Sequence, residues 1–230
     1  MSSPSPIQQL ASSLSNDGQQ LPGQGPGSPL DARGVDWRGQ TLGPRDLTGA
    51  RLCRADLRGS DLHACKLDGA DVRLARYDRH TLWPEEFDFR RSGAVGPQAK
   101  LDGAFLNSAD LACIDLRGAS LMGAYLSGTD LSGGCLHSVR IAGADLRHAF
   151  LRGALCEEVR FFSCQLDFVD FRHADLTNSD FTTADSIRGA DFSGASLLPE
   201  TRTSLLSRNF HELDCWNPLT RRTTRESLNS

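Results

Sequence analysis

The chain has 230 residues, a formal net charge of -4 and 23% charged residues, so it is mildly acidic and lacks the general basic field that direct nucleic-acid binding requires. Its seven cysteines form no CxxC pair and no metal-ligand rhythm. That pattern points to free thiols in a reducing compartment, and the cytoplasm is the expected location. No apolar run nears the roughly 20 residues of a membrane span, and no basic segment followed by an apolar one opens the chain.

Residues 1–34 are rich in Ser, Pro, Gly and Gln and read as a disordered or tethered segment. Within it, "SPIQQLASSL" offers Ser5 as a cap, Pro6 at a first helical position, and Ile7, Leu10, Ala11 and Leu14 on one face. A short helix over 6–15 and a disordered tail both fit.

From Trp37 onward large apolar residues recur every five positions: Leu42, Leu47, Leu52, Leu57, Leu62, Leu67, Val72, Tyr77 and Leu82. Helix faces recur at three or four and strand faces at two, so five fits neither. A small residue sits two places before each large one, as at Ala50, Ala55 and Ala75. A polar residue, often Asp, stands between them, and many units close on Gly, as at Gly49 and Gly59. Small, polar and large make a short extended segment with both ends pointing inward and the middle outward. The remaining two residues turn a corner, which Gly permits cheaply. Repeating segment and corner winds a coil whose turns hydrogen-bond to one another along the axis, with stability coming from stacked neighbours.

The pattern breaks at 83–98, "WPEEFDFRRSGAVGPQ", where Pro84, Gly93, Gly96 and Pro97 predict a loop. Trp83, Phe87 and Phe89 are more aromatic than a solvated loop needs. Either they pack back onto the coil, or Trp83 and Phe87 project to a partner. Glu85, Glu86, Asp88 and Arg90 could line a ligand site beside them.

The five-residue period resumes at Leu101 and runs through Leu116, Leu121, Leu126, Leu131, Leu146, Phe171 and Phe181, which define the expected core. Ser186 reads as a poor member followed by one inserted residue, with Phe192 and Leu197 completing the array. Residues 199–230 leave the period. Leu206, Phe210 and Leu213 share a helical face that Pro218 ends, which predicts a helix capping the open coil end with help from Trp216 and Leu219. "RRTTRES" reads as a basic tail.

The units "ADLRG" at 55–59 and "GADLRHAFLRGA" at 143–154 resemble the pentapeptide-repeat family. The resemblance implies an all-β fold, a right-handed quadrilateral β-helix with four units per coil. It would span 35–198 in about seven coils, interrupted by loop 83–98 and closed by a short capping helix and tail at 199–230. "YDRHTLWPEEFD" is similar to a loop of bacterial, often cyanobacterial, members.

On that four-sided geometry, outward positions fall into columns twenty residues apart. One reads Lys100, Ser120, Arg140, Arg160, Asp180; the next Phe105, Tyr125, Asp145, Gln165, Asp185; the third Asp110, Asp130, Phe150, Asp170, Asp191; the fourth Asp115, Cys135, Leu155, Asp175, Ser196. Phe105 and Tyr125 form an exposed aromatic pair and Arg140 and Arg160 a basic one. With Trp83 and Phe87 they are the candidate partner-binding residues. His63, His137, His148 and His173 point outward without gathering, and no catalytic or phosphate-binding motif appears. No enzyme, metal or cofactor is expected. The expected role is a rigid non-catalytic scaffold for an unknown protein partner, without a membrane or direct nucleic-acid partner and with a homodimer left open. The alternative is a DNA-mimicking modulator of DNA gyrase, a role some family members play as acidic rods that dimerise through the C-terminal coil. The small net charge, Phe150 in the acidic column and the expected cap weigh against it.

Overall fold

The structure, a computed structural model, describes residues 29–230, so the helix anticipated at 6–15 lies outside the described residues. The chain forms two compact units, one ending at Val95 and the other beginning at Gly96.

The second unit is a coil that returns to the same side every twenty residues. Parallel bridges join Lys100 to Ser120, Ser120 to Arg140, Arg140 to Arg160 and Arg160 to Asp180. Each bridged outward residue makes both of its ladder bonds to the coil before it, and its two neighbours bond the coil after. The Asp145 amide donates to the Ala124 carbonyl one coil back (3.0 Å), and the Asp145 carbonyl accepts from the Leu126 amide (2.7 Å). Leu116, Leu121, Leu126, Leu131, Leu146, Phe171 and Phe181 are all buried, each contributing roughly 1.5–3 kcal/mol by area removed from water. Alanines fill most of the small slot. Where a hydroxyl replaces one, it donates to a buried carbonyl: Thr129 to Leu106 (2.7 Å) and Ser179 to Cys156 (2.5 Å). Two phenylalanine columns face each other across the lumen. Phe161 stacks on Phe181 (4.8 Å) and Phe171 on Phe192 (5.2 Å), while Phe161 meets Phe171 edge to face.

Most corners are four-residue turns whose third residue has positive φ; the turns at Ala64 and Thr183 are exceptions. At Gly143 (φ 70°) this costs little. The same φ recurs without Gly at His148, Glu158, Phe168 and His173, among others. The coil, not the local residue, dictates the conformation there.

The first unit follows the same plan. Its ladder starts at Asp31, ahead of the predicted residue 35, and Trp37 through Tyr77 are buried at the expected spacing. Leu82 departs from expectation: it is 51% exposed and pairs outward with Asp61, while Thr81 is buried and donates to the Leu57 carbonyl (2.9 Å). One extra residue is absorbed before it, held by the Asp78 carboxylate, which accepts from the Gly59 and His80 amides. The excursion that follows holds one 3-10 turn, Phe89–Arg91, and ends where Val95 re-enters the ladder opposite Arg76. Trp83 stacks on Phe87 and Phe89, and Tyr77 meets Trp83 and Phe89 edge to face, so these aromatics pack back onto their own coil.

A second extra residue lies near the end of the second unit. Ile187, not Ser186, is the buried large residue, and Ser186 bridges Gln165 from the outward slot. The Asp185 amide donates to Cys164 while the Ser186 carbonyl accepts from Leu166. Two residues therefore oppose one, which is a β-bulge. The second column consequently ends on Ser186 rather than Asp185.

The cap is more elaborate than one helix. It comprises α1 (Pro199–Leu206), α2 (Phe210–Leu213), a two-strand antiparallel ladder of β1 (Trp216–Asn217) with β2 (Arg222–Thr223), and α3 (Thr224–Leu228). Pro199 opens α1, Asn209 caps α2, and Thr223 forms a reciprocal capping box with Glu226. Leu205, Leu213 and Leu228 are buried, whereas Phe210, Trp216 and Leu219 are exposed, contrary to their predicted roles. The "RRTTRES" stretch is likewise no free tail. Thr224 and Ser227 are buried, and Arg225 pairs with Asp214 (2.6 Å). The last coil has no following coil to bond, and cap side chains substitute for it. Glu212 accepts from the Ile187 amide (3.0 Å), Ser227 from the Phe192 amide (3.0 Å), and Asn217 donates to the Gly189 carbonyl (2.7 Å).

Candidate interaction surface

Much of the outward charge is internally matched. At Asp31, Asp36, Asp56, Asp71, Asp115, Asp145 and Asp170 the arginine two residues later folds back as a fork, Nε to one carboxylate oxygen and Nη2 to the other. In the second unit these distances are 2.9 and 2.5 Å at Asp115, 2.8 and 2.7 Å at Asp145, and 2.8 and 2.6 Å at Asp170. The guanidinium beside Asp36, Asp71 and Asp145 holds each carboxyl below its ordinary range.

One side of the second unit is different. Among the described residues, Lys100, Arg140 and Arg160 have no carboxylate within ion-pair distance. Asp180, which follows Arg160 in the column and feels its charge, is hydrogen-bonded to the amide and hydroxyl of Thr182 (2.9 and 2.6 Å). Arg140 instead lays Nη2 3.3 Å from the Met122 sulfur. Beside this pair an open groove of about 430 Å³ runs between Ser138 and Glu158 on one edge and Met122, Ala142 and Phe162 on the other. Met122, Ala142 and Phe162 occupy one corner position on successive coils. The small Ala142 leaves a notch between two larger apolar side chains, both exposed.

The predicted aromatic pair is present on the neighbouring column. Phe105 (76% exposed) and Tyr125 (43%) stack at 4.7 Å with rings 4° from parallel. Trp83 and Phe87 are half-buried in the first unit's aromatic cluster, each with a ring partner. In the same loop Asp88 faces Arg91 at 3.9 Å and Arg90 lies over the Phe89 ring, so no convergent acidic site forms there. Among the described residues no three His, Cys, Asp or Glu gather to hold a metal, and no helix is long and apolar enough to cross a membrane. All seven cysteines are free, and burial pushes the Cys164 thiol up to about 11 and raises Cys156 further, which makes both poor nucleophiles.

The outward columns were readable from sequence; the groove was not, because its apolar edge lies on corner residues. Counting Met122, Ala142 and Phe162 at the same twenty-residue interval supplies the missing signal. The Asp-x-Arg spacing would likewise have flagged the clamped arginines.

The family model for pentapeptide repeats matches eight copies, over residues 46–75, 99–137, 140–178 and 160–197. Among solved structures, a pentapeptide-repeat protein of the Arabidopsis thaliana thylakoid lumen is 27% identical, with 56% of this chain and 87% of that one covered and a TM-score of 0.41. The Rfr23 protein of the cyanobacterium Cyanothece 51142 is 17% identical, with 73% and 91% covered and a TM-score of 0.31. QnrB1, a plasmid-mediated fluoroquinolone resistance protein, is 18% identical in a trypsin-treated form, with 79% and 97% covered and a TM-score of 0.38. No curated protein matches the chain. The five-residue period, the twenty-residue ladder and a repeat model matching over half the chain make it a member of the pentapeptide-repeat family, with the right-handed β-helical fold of that family.

Proposed function

We propose that the chain is a non-catalytic scaffold that docks a protein partner on the outer faces of its second unit. The observation that carries this reading is the contrast between clamped and bare arginines. Seven outward aspartates among the described residues hold their own arginine, whereas Arg140 and Arg160 face solvent beside exposed Met122 and Phe162. The Phe105–Tyr125 stack adds rigid apolar area on the adjoining column. Trp83 and Phe87 belong to internal packing in this reading. A cytoplasmic setting fits the seven free thiols, and neither nucleic acid nor a membrane enters the proposal. Capture from the native host on immobilised protein tests it. Phe105→Ser/Tyr125→Ser and Arg140→Ser/Arg160→Ser variants that melt like the parent should each lose retained proteins. Retention identical across parent and variants would end the proposal.

A gyrase-directed DNA mimic is the weaker reading. Its acidic columns would have to act as a bare negative field, yet Asp115, Asp145 and Asp170 are forked by arginines, and the cap covers the last coil. Relief of quinolone inhibition by micromolar protein in a supercoiling assay would reverse the order of the two readings.

A further inference from the structure

We infer that the groove over Ala142 receives an acidic protein segment, seating one apolar side chain between Met122 and Phe162 and a neighbouring carboxylate on Arg140 and Arg160. This rests on the scaffold reading and names the partner's chemistry. Successive coils lie about 4.8 Å apart at the backbone, so a single anion can bridge the side chains of Arg140 and Arg160, whose like charges disfavour each other. No carboxylate of the described chain does so. Met122 and Phe162 stand two coils apart, about 10 Å on the same spacing, and the methyl of Ala142 floors the gap between them. That gap takes one side chain, with apolar contact on both sides. The Met122 sulfur holds the Arg140 guanidinium at the rim of this notch, at 3.3 Å, so the charge and the apolar seat adjoin. Glu158 lines the opposite edge of the groove. It repels a second acid there and sets direction: carboxylate on the arginines, apolar residue toward the corner, and no acid beyond.

Fluorescence anisotropy with the labelled peptide Gly-Gly-Asp-Phe-Gly-Gly tests this on the full chain. Saturable binding is expected, weakened about tenfold or more by either Arg140→Gln or Arg160→Gln, the scale of one lost charge-assisted contact. Ala142→Leu, which fills the notch, should abolish it, and Glu158→Gln should tighten it. A peptide with Gly in place of Phe, or with Asn in place of Asp, should not bind. All these positions are at the surface, and unchanged melting checks each variant. Binding indifferent to Ala142→Leu, equal binding of a thymidine decamer, or no saturable binding would overturn the inference. If the peptide fails while the Phe105→Ser/Tyr125→Ser variant still loses captured proteins, the groove assignment falls and the scaffold reading stands. If both fail, both fall.

Discussion

Glu212 is the side chain on which the cap's hold on the coil turns. Its carboxylate accepts from the Ile187 amide (3.0 Å), from Arg208 Nε (2.9 Å) and from Asn209 Nδ2 (3.1 Å). Arg208 in turn donates to the Ala184 carbonyl (3.0 Å). The Glu212 and Arg208 side chains are only 15% and 18% exposed. Glu212→Ala strands the Ile187 amide, about 1–3 kcal/mol for an orphaned donor, and leaves the Arg208 charge without its partner. Breaking a fully buried pair costs about 3–5 kcal/mol, but water can enter here, so the combined loss should be about 3 kcal/mol. For a chain of this size that lowers the melting temperature by about 6–12 °C. Glu212→Gln keeps an acceptor for Ile187 and should lose about a third as much. Because coils contact only their neighbours, hydrogen exchange should rise at the Ile187 and Phe192 amides and stay slow at Leu126. If Glu212→Ala melts within a degree of the parent and Ile187 remains protected, side chains do not replace the missing coil and the account of the cap is wrong.

Leu126→Arg should abolish folding, since it puts an unpaired charge at a fully buried site and that penalty rivals the whole stability of a domain, about 5–15 kcal/mol; circular dichroism retaining the parent spectrum would refute the inward assignment. Gly189→Ala should destabilise more than Gly123→Ala. Both have positive φ, but a Cβ at 189 meets the Phe168 ring at 2.6 Å while 123 is open. Adding Phe168→Ala should recover the difference, about 1 kcal/mol, by denaturant titration. Asp145→Asn should lower the melting temperature at pH 7. The Asp145 carboxyl is held below its ordinary 3.8 by Arg147, so its contribution is complete above that value and disappears as pH falls through the lower folded one. The gap between parent and variant should therefore begin to narrow below about pH 4 and close as pH falls through the lower folded value; a gap with no narrowing in acid would show that charge pairing is not the cause.

The coil was legible because each slot prints its side-chain size directly: Leu116, Leu121, Leu126 and Leu131 need no tertiary knowledge to be placed inward. The two extra residues were not, since a single insertion leaves two frames open. "DSI" admits Ser186 or Ile187 as the inward residue, and only packing decides for Ile187. The same ambiguity assigned Leu82 inward, whereas it bridges Asp61 from the outward slot and Thr81 takes the buried small slot before it. The cap was legible as a need but not as a form. Its hydrogen bonds join residues far apart in sequence, such as Ser227 to Phe192, and no local pattern encodes them. At the surface, Phe105, Tyr125, Arg140 and Arg160 followed from column counting. Met122 and Phe162 escaped because corners were treated as turn-makers rather than as a face of their own.

The bulge at Asp185–Ser186 and the extra residue ahead of Leu82 have a consequence for changes in chain length. A one-residue insertion in an ordinary unit would send every later leucine to the solvent until something restored the count. At these two places the slack is taken up within a single corner, and the following residues resume their seats. Lengthening of such a protein should therefore proceed by whole five-residue units, with other increments tolerated only at such expansion joints, and these are the sites at which a short epitope could be spliced in without unthreading the rest.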